Sequence, residues 1–424
     1  MSSQTALDFL ARHGMNPETV QPARDAEKMA RDMERGLAGE QSSMPMIPTY
    51  LSDEGHIPLH KSAVVIDAGG TNFRRALVTF EENGYRVEEL QKWKMPGIER
   101  PATWEELISF CADAVEPLMD RADCIGFCFS YSADITPDID GRVQRIDKEV
   151  VIRGCEGKLV GASLREELER RGISGKKVVI LNDTVAVLLG GLAVVDRGAY
   201  SGFVGQVSGT GTNTCCSLPA NRIGKLGRED TRRIIVNLES GMYDGITVGD
   251  FDRQLDEESK NPHLKPFEKH TAGVYLGELT HLMLRQAAEE GLPSAAAAEK
   301  IGSLGWIDSS VIDAWSCGEH LEQVCGTEED ADFVRTLTSA VFERSARCMC
   351  TNLAAILLLT GAGEEKPACI CAEGSLVQKG RSYRPVLEQL IEQEIGGKLG
   401  RKAVLRISQE ATLPGSAAAA LLNT

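Results

Sequence analysis

The chain lacks long hydrophobic runs and has few aromatic residues, which make up 5% of its 424 residues. No apolar stretch approaches the roughly 18–20 residues that a membrane-spanning helix requires, so we expect a soluble protein with no membrane partner. The N-terminus carries charged residues such as Asp8 and Arg12 and has no apolar core before a small-residue cleavage site. Because a secretory signal needs those features, we expect a cytoplasmic protein.

The chain is also poor in positive charge, with a formal net charge of −16. An acidic protein is repelled by the phosphates of nucleic acid and by anionic membrane surfaces, so neither is an expected partner. We therefore expect small-molecule ligands. The length by itself supports two or three domains with sizeable cores.

The 12 cysteines are too few for a disulfide-dense chain of this length, and several lie in apolar runs. We expect them to be reduced and mostly buried, as small hydrophobic side chains. Two C-x-C pairs occur, Cys348 with Cys350 and Cys369 with Cys371. Structural zinc prefers a longer C-x₂₋₄-C spacing, so core packing is the preferred interpretation and a zinc site the alternative.

Two familiar nucleotide-binding signatures are missing, since no G-x-G-x-x-G or G-x-x-x-x-G-K-[ST] segment opens a helix. Instead an apolar run ends at Asp67 and is followed by the turn Gly69-Gly70-Thr71-Asn72 and a second apolar run. Adjacent glycines leave backbone N–H groups unshielded, so this hairpin is predicted to grip a polyphosphate, with Asp67 holding the water shell of Mg²⁺. An ordinary hairpin turn is the alternative.

A similar strand, glycine turn and strand recur about 140 residues further on. The second turn follows a strand predicted over 201–207 and reads Gly209-Thr210-Gly211-Thr212-Asn213. Two such units suggest halves of similar topology that each offer a phosphate-binding hairpin to a shared cleft. A third turn that could face a nucleotide follows a short strand and reads Glu373-Gly374-Ser375.

Local signals also indicate where several helices begin and end. A capping box at Thr103 predicts a helix that ends at Met119. Helical spacing of apolar residues predicts an amphipathic helix over 17–37. An alanine-rich terminal helix is predicted to begin at Gly415.

Asp183 is the leading candidate for a catalytic base. It follows a Val-Val-Ile-Leu strand and opens a helical stretch, so its carboxylate can face a cleft. Phosphoryl transfer to an alcohol needs a group that accepts the hydroxyl proton. The alternative is that Asp183 only N-caps the following helix. Ser130, Lys148, Glu239 and Glu268 are weaker candidates, because each could equally be a solvated or capping residue.

The ordered set of motifs resembles the hexokinase family, in the eukaryotic-type branch that includes animal glucokinase. The resemblance runs through nearly the whole chain, and so many motifs in one order make it specific. In chain order the segments that carry it are Ser43–Tyr50, Asp67–Arg74 (similar to D-x-G-G-T-N-F-R), Phe129–Ser130 with Gly141 and Lys148, Leu181–Val185 (L-N-D-T-V), Gly209–Asn213, Asn237 with Glu239, Phe267–Lys269 and Glu373–Ser375.

The resemblance implies an α/β protein with a two-lobed actin-like (RNase H-like) fold, in which helices flank mixed sheets and a ligand cleft lies between the lobes. The small lobe would comprise residues 63–183 and 410–424, and the large lobe residues 1–62 and 184–409. ATP and Mg²⁺ are the implied cofactors and a hexose the implied substrate. We expect a monomer or a homodimer.

The same resemblance assigns roles to individual residues. Asp183 would take the proton from the sugar 6-hydroxyl. Substrate would be bound by Ser130, Asp147, Lys148, Asn182, Asp183, Asn237, Glu239 and Glu268. ATP would be held by Asp67, Gly69, Gly70, Thr71, Asn72, Arg74, Gly209, Thr210, Gly211, Gly374 and Ser375. Asp67 would reach Mg²⁺ through water.

The chain departs from the family pattern around the sugar. The segment Phe129-Ser130-Tyr131-Ser132 replaces F-S-F-P, Asp147 precedes Lys148 where the family has threonine, and Ser240 replaces the tryptophan of N-x-E-W-G. These departures bear on which sugar is accepted rather than on phosphoryl transfer.

The sequence therefore predicts ATP-dependent phosphorylation of a hexose at the 6-hydroxyl. Glucose is the default sugar, and mannose and fructose are further candidates. One alternative is a catalytically weak, sugar-sensing regulator with the same fold. Another is a kinase for an amino sugar, which the Asp147 substitution keeps open.

Overall fold

The computed structural model describes residues 2–146 and 150–423, with most strands before residue 240 and most helices after it. The strands are β1 (Ile47–Pro48), β2 (Ser62–Ala68), β3 (Asn72–Glu81), β4 (Gly84–Lys94), β5 (Ala102–Thr103), β6 (Cys124–Phe129), β7 (Ser132–Ile135), β8 (Gly141–Arg145), β9 (Ile152–Arg153), β10 (Lys177–Leu181), β11 (Gly202–Ser208), β12 (Thr212–Pro219), β13 (Arg233–Asn237), β14 (Ala368–Glu373) and β15 (Ala403–Ile407).

The helices are α1 (Ser2–Arg12), α2 (Pro22–Ala38), α3 (Trp104–Val115), α4 (Val160–Arg170), α5 (Asp183–Leu192), α6 (Asp250–Glu258), α7 (Pro266–Thr271), α8 (Gly273–Glu289), α9 (Ala295–Gly302), α10 (Ser309–Ser316), α11 (Glu328–Thr360), α12 (Ser375–Lys379), α13 (Tyr383–Leu390) and α14 (Thr412–Leu422). A π-helical segment, Ile391–Lys398, continues α13. None of the helices in the described ranges combines the length and apolarity that a bilayer crossing requires.

A five-stranded sheet contains the predicted first hairpin and has the order β10-β6-β2-β3-β4. β2 and β3 pair antiparallel, whereas β2, β6 and β10 run parallel. Val64, Val65 and Ile66 of β2 are all fully buried. A central strand covered on both faces reads as a continuous apolar run, which is why this segment shows no alternation.

The two faces of that sheet carry separate hydrophobic layers. Val64 and Ile66 pack in a cluster with α3, while Val65 on the opposite face packs with α5 and α14. Alternate side chains of a strand point to opposite faces, so one strand contributes to both layers. The result is a helix, sheet, helix sandwich that fixes the ends of β2, β6 and β10 where the candidate residues lie.

The terminal helix lies very close to the sheet. A Cβ atom added to Gly126 of β6 would lie 1.9 Å from the Ser416 carbonyl oxygen, so only glycine allows this approach. The predicted start of α14 at Gly415 is wrong, because the helix begins at Thr412. Pro414 is tolerated in the first turn, where its missing N–H has no intrahelical partner.

The predicted capping box of α3 is confirmed. Glu106 N–H donates to Thr103 Oγ1 at 3.2 Å, and Thr103 N–H donates to Glu106 Oε2 at 2.7 Å. The helix ends at Val115 rather than at the predicted Met119. Pro117 lacks the N–H that would continue the α-helical ladder, and the chain passes into a 3₁₀ turn, Glu116–Leu118.

The predicted helix over 17–37 also has a different start. α2 begins at Pro22, which occupies a first-turn position, and Pro17–Thr19 forms a separate 3₁₀ turn. Gly39 ends α2 in the left-handed conformation with φ of 80°, as expected for a glycine C-cap.

The second glycine turn belongs to a six-stranded sheet with the order β1-β13-β12-β11-β14-β15. β12 and β13 pair antiparallel with Cys215 opposite Asn237, and β14 pairs parallel with β15. The predicted strand, turn and strand around residues 201–218 are thus confirmed. With parallel and antiparallel pairs in both large sheets and helices beside the strands, the chain is α/β, as expected.

The chain divides into two compact units, neither of which is continuous in sequence. The first, here called the helix-rich unit, consists of Met1–Pro45, Val207–Asn213 and Glu239–Ile407. The second, here called the hairpin unit, consists of Met46–Gln206, Thr214–Leu238 and Ser408–Thr424. The lobe boundaries implied by the resemblance stay a prediction.

Helix α11 lies at the centre of the helix-rich unit and buries most of its length against α1, α2, α10 and α13. Its Arg344 donates to both carboxylate oxygens of Asp252 in α6, at 2.9 and 2.6 Å. The same guanidinium lies 3.2 Å from Nδ1 of His270 in α7. Burial lowers the pKa of His270 to about 4, so the ring is neutral near pH 7. This buried polar cluster connects α6, α7 and α11.

Candidate active site

The first glycine turn joins β2 to β3 in the hairpin unit. Gly69 N–H donates to the Asn72 carbonyl at 2.9 Å and closes the turn. Asn72 Nδ2 donates to Thr71 Oγ1 at 3.2 Å. Gly69, Gly70 and Thr71 are half-buried and Asn72 is exposed, so a ligand in solution can reach this turn.

Asp67 and Arg74 face each other across the turn as register partners. Arg74 donates to Asp67 Oδ2 through Nε at 2.8 Å and also through Nη2. Its Nη2 donates to Thr412 Oγ1 at 3.0 Å, and its Nη1 lies 3.5 Å from Glu410 Oε1. The guanidinium that the resemblance assigns to phosphate is thus engaged with two carboxylates in this structure.

Asp67 is only 7% exposed, and burial raises the pKa of its carboxyl above the usual value. Arg74 opposes that shift, whereas the negative charge of Asp183 adds to it. Asp67 is the last but one residue of β2 and Asp183 lies just after β10, with β6 between the two strands. Because parallel strands bring their carboxyl ends to one sheet edge, the two aspartates interact electrostatically there.

Asp183 is the first residue of α5, and the N-cap of that helix is Asn182. Asn182 Oδ1 accepts the Thr184 N–H at 2.9 Å. Asp183 Oδ1 accepts from the same N–H at 2.7 Å and from Thr184 Oγ1 at 3.3 Å. The alternative that Asp183 is the N-cap is therefore wrong, since the adjacent asparagine occupies that position.

Ser130 and Tyr131 follow β6 and are tied to the first turn. Ser130 N–H donates to the Ala68 carbonyl at 3.2 Å, and the Tyr131 hydroxyl donates to the Gly69 carbonyl at 2.6 Å. Ser130 Oγ also lies 3.8 Å from Cys128 Sγ. Burial holds the pKa of that thiol well above its usual range, and the charge of Asp67 raises it further, so the thiol is neutral.

Asn237 lies in the hairpin unit at the end of β13 and is 5% exposed. Its register partner, Cys215, donates through Sγ to the Thr184 carbonyl at 3.2 Å. Asn237 is therefore on a strand pair that packs against the start of α5. Asp147 and Lys148, which were also predicted to bind the sugar, lie outside the described residues.

The second turn lies in the helix-rich unit, where Gly209 N–H donates to the Gly211 carbonyl at 3.0 Å. The third predicted turn is beside it, because a Cβ atom on Gly209 would lie 3.0 Å from the Ser375 N. Gly374 has φ of 117°, and a Cβ there would lie 2.3 Å from the Ser208 carbonyl oxygen. Both its conformation and this close approach require glycine at position 374.

The two predicted sugar-binding glutamates lie beside the second turn in the same unit. Glu268, in the first turn of α7, accepts the Thr212 N–H at 3.1 Å. Glu239 accepts from Asn213 Nδ2 at 3.4 Å, and Asn213 Oδ1 accepts the Ser240 N–H at 3.2 Å. Glu239 has a left-handed backbone with φ of 54°. Non-glycine residues in this unfavourable conformation occur preferentially at functional sites.

Three residues that lie beside the candidate site residues carry no role in the sequence analysis. Thr412 accepts from Arg74, and Lys265 Nζ lies 3.5 Å from Glu268 Oε1. A Cβ atom on Gly273 would lie 3.0 Å from Ser309 Oγ and 3.1 Å from the Gly209 carbonyl oxygen, so Ser309 lies close to the second turn. The spacing of Lys265 three residues before Glu268 was a usable signal, whereas no motif marks Ser309 or Thr412.

The residues present fit a hydrated magnesium ion better than a closed protein cage. Within residues 2–146 and 150–423 no group of three or more His, Cys, Asp or Glu side chains could hold a metal. The hairpin unit supplies two interacting carboxylates, Asp67 and Asp183. In kinase sites Mg²⁺ keeps several waters and uses one or two carboxylates together with substrate phosphates.

Comparison with known proteins decides the family. One hexokinase family model matches residues 8–192, and a second hexokinase model matches residues 203–422. This chain belongs to the hexokinase family. It is 30% identical over 390 residues to hexokinase-2 of Candida albicans, a match that covers 82% of this chain and 77% of that protein.

Another relative in the hexokinase family is hexokinase-1 of Schizosaccharomyces pombe, which is 27% identical over 430 residues, covering 94% of this chain and 87% of that protein. The fold is similar to that of a Schistosoma mansoni hexokinase complexed with glucose, with a TM-score of 0.78, 21% identity and 99% of both chains covered. The fold is therefore the actin-like α/β fold that the motifs implied, and this hexokinase-family chain is a sugar kinase, a phosphotransferase with an alcohol acceptor.

Proposed function

We propose that this hexokinase-family chain transfers a phosphoryl group from ATP to the 6-hydroxyl of a hexose in the cytoplasm, with glucose as the leading substrate. The observation that carries the proposal is the pair of interacting carboxylates, Asp67 and Asp183, at one edge of the five-stranded sheet beside a glycine turn. Transfer to an alcohol needs a base for the hydroxyl proton and a means of neutralising phosphate charge. Asp183 can supply the base, and Asp67 could hold a hydrated Mg²⁺ whose positive charge would neutralise the phosphates.

Asp183 is the base in this proposal. Its Oδ1 is oriented by the N–H and hydroxyl of Thr184, while its Oδ2 finds no hydrogen-bond partner among the described residues. An oriented carboxylate with one oxygen available can accept a proton from the hydroxyl of a bound sugar. As its proton passes to Asp183, the hydroxyl oxygen attacks the terminal phosphorus of ATP, and the bond from that phosphorus to the bridging oxygen breaks to release ADP.

Asp67 would hold the water shell of Mg²⁺, whose charge would neutralise the ATP phosphates. Residues 69–72, with Arg74, would cradle phosphate in the hairpin unit. In the helix-rich unit that task falls to Gly209, Thr210, Gly211, Gly374 and Ser375. Exposed backbone N–H groups of glycine turns suit phosphate oxygens.

The sugar hydroxyls would be bound by Ser130, Asn182, Asn237, Glu239 and Glu268, together with Asp147 and Lys148. Glu239 accepts from the Asn213 amide and Glu268 from the Thr212 backbone N–H, and Lys265 Nζ lies 3.5 Å from Glu268 Oε1. Their carboxylates are therefore suited to accept hydrogen bonds from vicinal hydroxyls. Sites built to bond a hydroxyl reject analogues that lack it, so these residues would supply specificity.

The test is an acceptor panel with the purified full chain, ATP and Mg²⁺. ADP release is measured with glucose, mannose, fructose and glucosamine, and the phosphorylated position is determined by NMR. We expect phosphorylation at O6, most efficiently for glucose. No transfer to any sugar would contradict the proposal, and sugar binding without ADP release would favour the regulatory alternative. A clear preference for glucosamine would favour the amino-sugar kinase.

A further inference from the structure

The peptide bond between Gly69 and Gly70 is contacted from one side by a single side-chain hydroxyl. Tyr131 donates to the Gly69 carbonyl at 2.6 Å and lies 3.5 Å from the Gly70 carbonyl. Tyr131 is 6% exposed and Gly69 is half-buried, so this contact is partly buried. The motif of the hexokinase family has phenylalanine here, and a phenylalanine ring could fill the same space without reaching the carbonyl through a hydrogen bond.

A peptide flanked by two glycines rotates easily, because neither residue carries a Cβ that restricts its dihedral angles. In a trans peptide the carbonyl and the following N–H point in opposite directions. A hydrogen bond that holds the Gly69 carbonyl toward Tyr131 therefore turns the Gly70 N–H away from Tyr131. The hydroxyl thus selects one of the two orientations of this peptide.

We propose that Tyr131 is a positioning residue that holds the Gly69–Gly70 peptide with its Gly70 N–H presented to a phosphate of ATP. The inference rests on the proposed function, in which this turn holds ATP, and it names the group that orients the donor. Tyr131 acts through the backbone and touches no reacting atom.

The surroundings of Tyr131 support this role. Its ring packs against Phe129 with a centroid distance of 5.1 Å, and the N–H of the preceding Ser130 donates to Ala68 at 3.2 Å. The ring of Tyr131 and the residue before it are therefore held in place beside the end of β2. Burial holds the pKa of Tyr131 far above neutrality, so the phenol keeps the proton that it donates.

The contacts of Tyr131 change the interpretation of the difference from the family motif at this position. The change from F-S-F-P to Phe129-Ser130-Tyr131-Ser132 lies in the sugar-binding segment of the family pattern. The added hydroxyl is bonded to the phosphate turn instead. Its removal is therefore expected to weaken ATP binding rather than sugar binding.

The test replaces Tyr131 by phenylalanine, which removes only the hydroxyl. Tyr85→Phe, also in the hairpin unit, is the matched control. The Kd of a non-hydrolysable ATP analogue is measured by calorimetry at saturating sugar, and KM for ATP, KM for sugar and kcat are measured by coupled assay. A net hydrogen bond of ordinary strength corresponds to about a 5–10-fold effect, and we expect Tyr131→Phe to raise Kd and KM for ATP by that factor.

In the same variant we expect KM for sugar and kcat to stay within about twofold of wild type, and Tyr85→Phe to leave all four quantities within about twofold. ATP affinity unchanged in Tyr131→Phe would overturn the role of Tyr131 alone, as would equal losses of ATP and sugar affinity. A wild-type protein that binds no ATP would overturn this inference and the proposed function together.

Discussion

The hairpin unit and the helix-rich unit hold their candidate carboxylates by different means. In the hairpin unit Asp67 forms an ion pair with the guanidinium of Arg74 and interacts with a second aspartate, Asp183. In the helix-rich unit Glu268 accepts from the Thr212 backbone N–H, and Glu239 accepts from the Asn213 side-chain amide. Asp67 is thus bonded directly by a guanidinium, whereas both glutamates accept from amide N–H groups and the cation nearest to Glu268, Lys265 Nζ, lies 3.5 Å away.

This difference suits two kinds of ligand group. A cation or phosphate bound beside Asp67, Arg74 and Asp183 would change the electrostatic interactions among these three side chains, because each added charge attracts or repels them. Carboxylates bonded by amide N–H groups have further lone pairs that can accept from uncharged hydroxyls. We infer that Asp67 and Asp183 serve metal binding and proton transfer, while Glu239 and Glu268 recognise the hydroxyls of the acceptor. The following variants test that division from the largest expected free-energy effect to the smallest.

The largest effect is expected at Asp183. Replacing it by asparagine keeps an acceptor for Thr184 but removes the base, and we expect kcat to fall about 10³-fold. Sugar affinity measured by calorimetry is expected to stay within about threefold, since charge-free binding contacts remain. Asp138→Asn, an exposed residue of the same unit, is the control. Activity of Asp183→Asn within tenfold of wild type would remove it from the base role.

The next effect concerns stability and lies in the helix-rich unit. The folded pKa of His270 is about 4, below its ordinary value of 6.5, so the unfolded chain binds more protons between those values. The contribution of the neutral His270 ring to folding stability is therefore complete above about pH 6.5 and is lost as the pH falls toward 4. Between pH 6.5 and pH 4 we expect the free energy of unfolding of wild type to fall by on the order of 2–3 kcal/mol more than that of His270→Gln, whose side chain is neutral throughout.

The measurement is the free energy of unfolding from urea titrations at a series of pH values. His56→Gln removes an exposed histidine and is expected to retain the wild-type slope. Parallel curves for wild type and His270→Gln would show that the buried ring does not set this pH dependence.

Glu268→Gln tests acceptor recognition. The amide keeps its size but loses the charge that strengthens hydrogen bonds from sugar hydroxyls, so we expect KM for sugar to rise about 10–100-fold. KM for ATP is expected to change by less than about threefold. Glu289→Gln, an exposed residue of α8, serves as the matched control. An equal rise in both KM values would contradict the proposed division of roles between the aspartates and the glutamates.

The smallest effect is expected from Arg74→Gln, measured as a pH profile of kcat/KM for ATP. Arg74 lowers the pKa of Asp67, so its removal raises that pKa further. Protonation of Asp67 then begins at a higher pH, and we expect the acid limb of the profile to move to higher pH. Arg86→Gln, on exposed β4 of the same unit, should leave the limb in place. An acid limb at the wild-type pH in Arg74→Gln would contradict the electrostatic coupling of Arg74 and Asp67.

Much of the fold could be predicted because its signals are local. The first hairpin follows from two apolar runs around a glycine turn, and the start of α3 follows from a capping box within four residues. Helix ends were less predictable where proline intervenes. Pro117 ended α3 early and Pro414 was accommodated inside α14, because proline blocks a hydrogen bond in one position and loses none in the other.

Those residues of the candidate site that belong to sequence motifs could be predicted. Asp67, Asp183 and the glycine turns stand out in sequence because strand ends and glycines mark them. The N-cap assignment between Asn182 and Asp183 was not decidable from sequence, since both residue types cap helices. Ser309 and Thr412 carry no local signal, and only packing places them beside Gly209 and Arg74.

The amino-acid sequence by itself determined the family, the strands and turns, and the chemical types that carry the proposed reaction. Tertiary structure decided which partners those residues have. Tyr131 meets a carbonyl 62 residues away, and Glu268 accepts an N–H 56 residues away. Such contacts depend on the register of strands and on close approaches such as that of Gly126 to α14, which are set by packing of the whole chain and not by neighbouring residues.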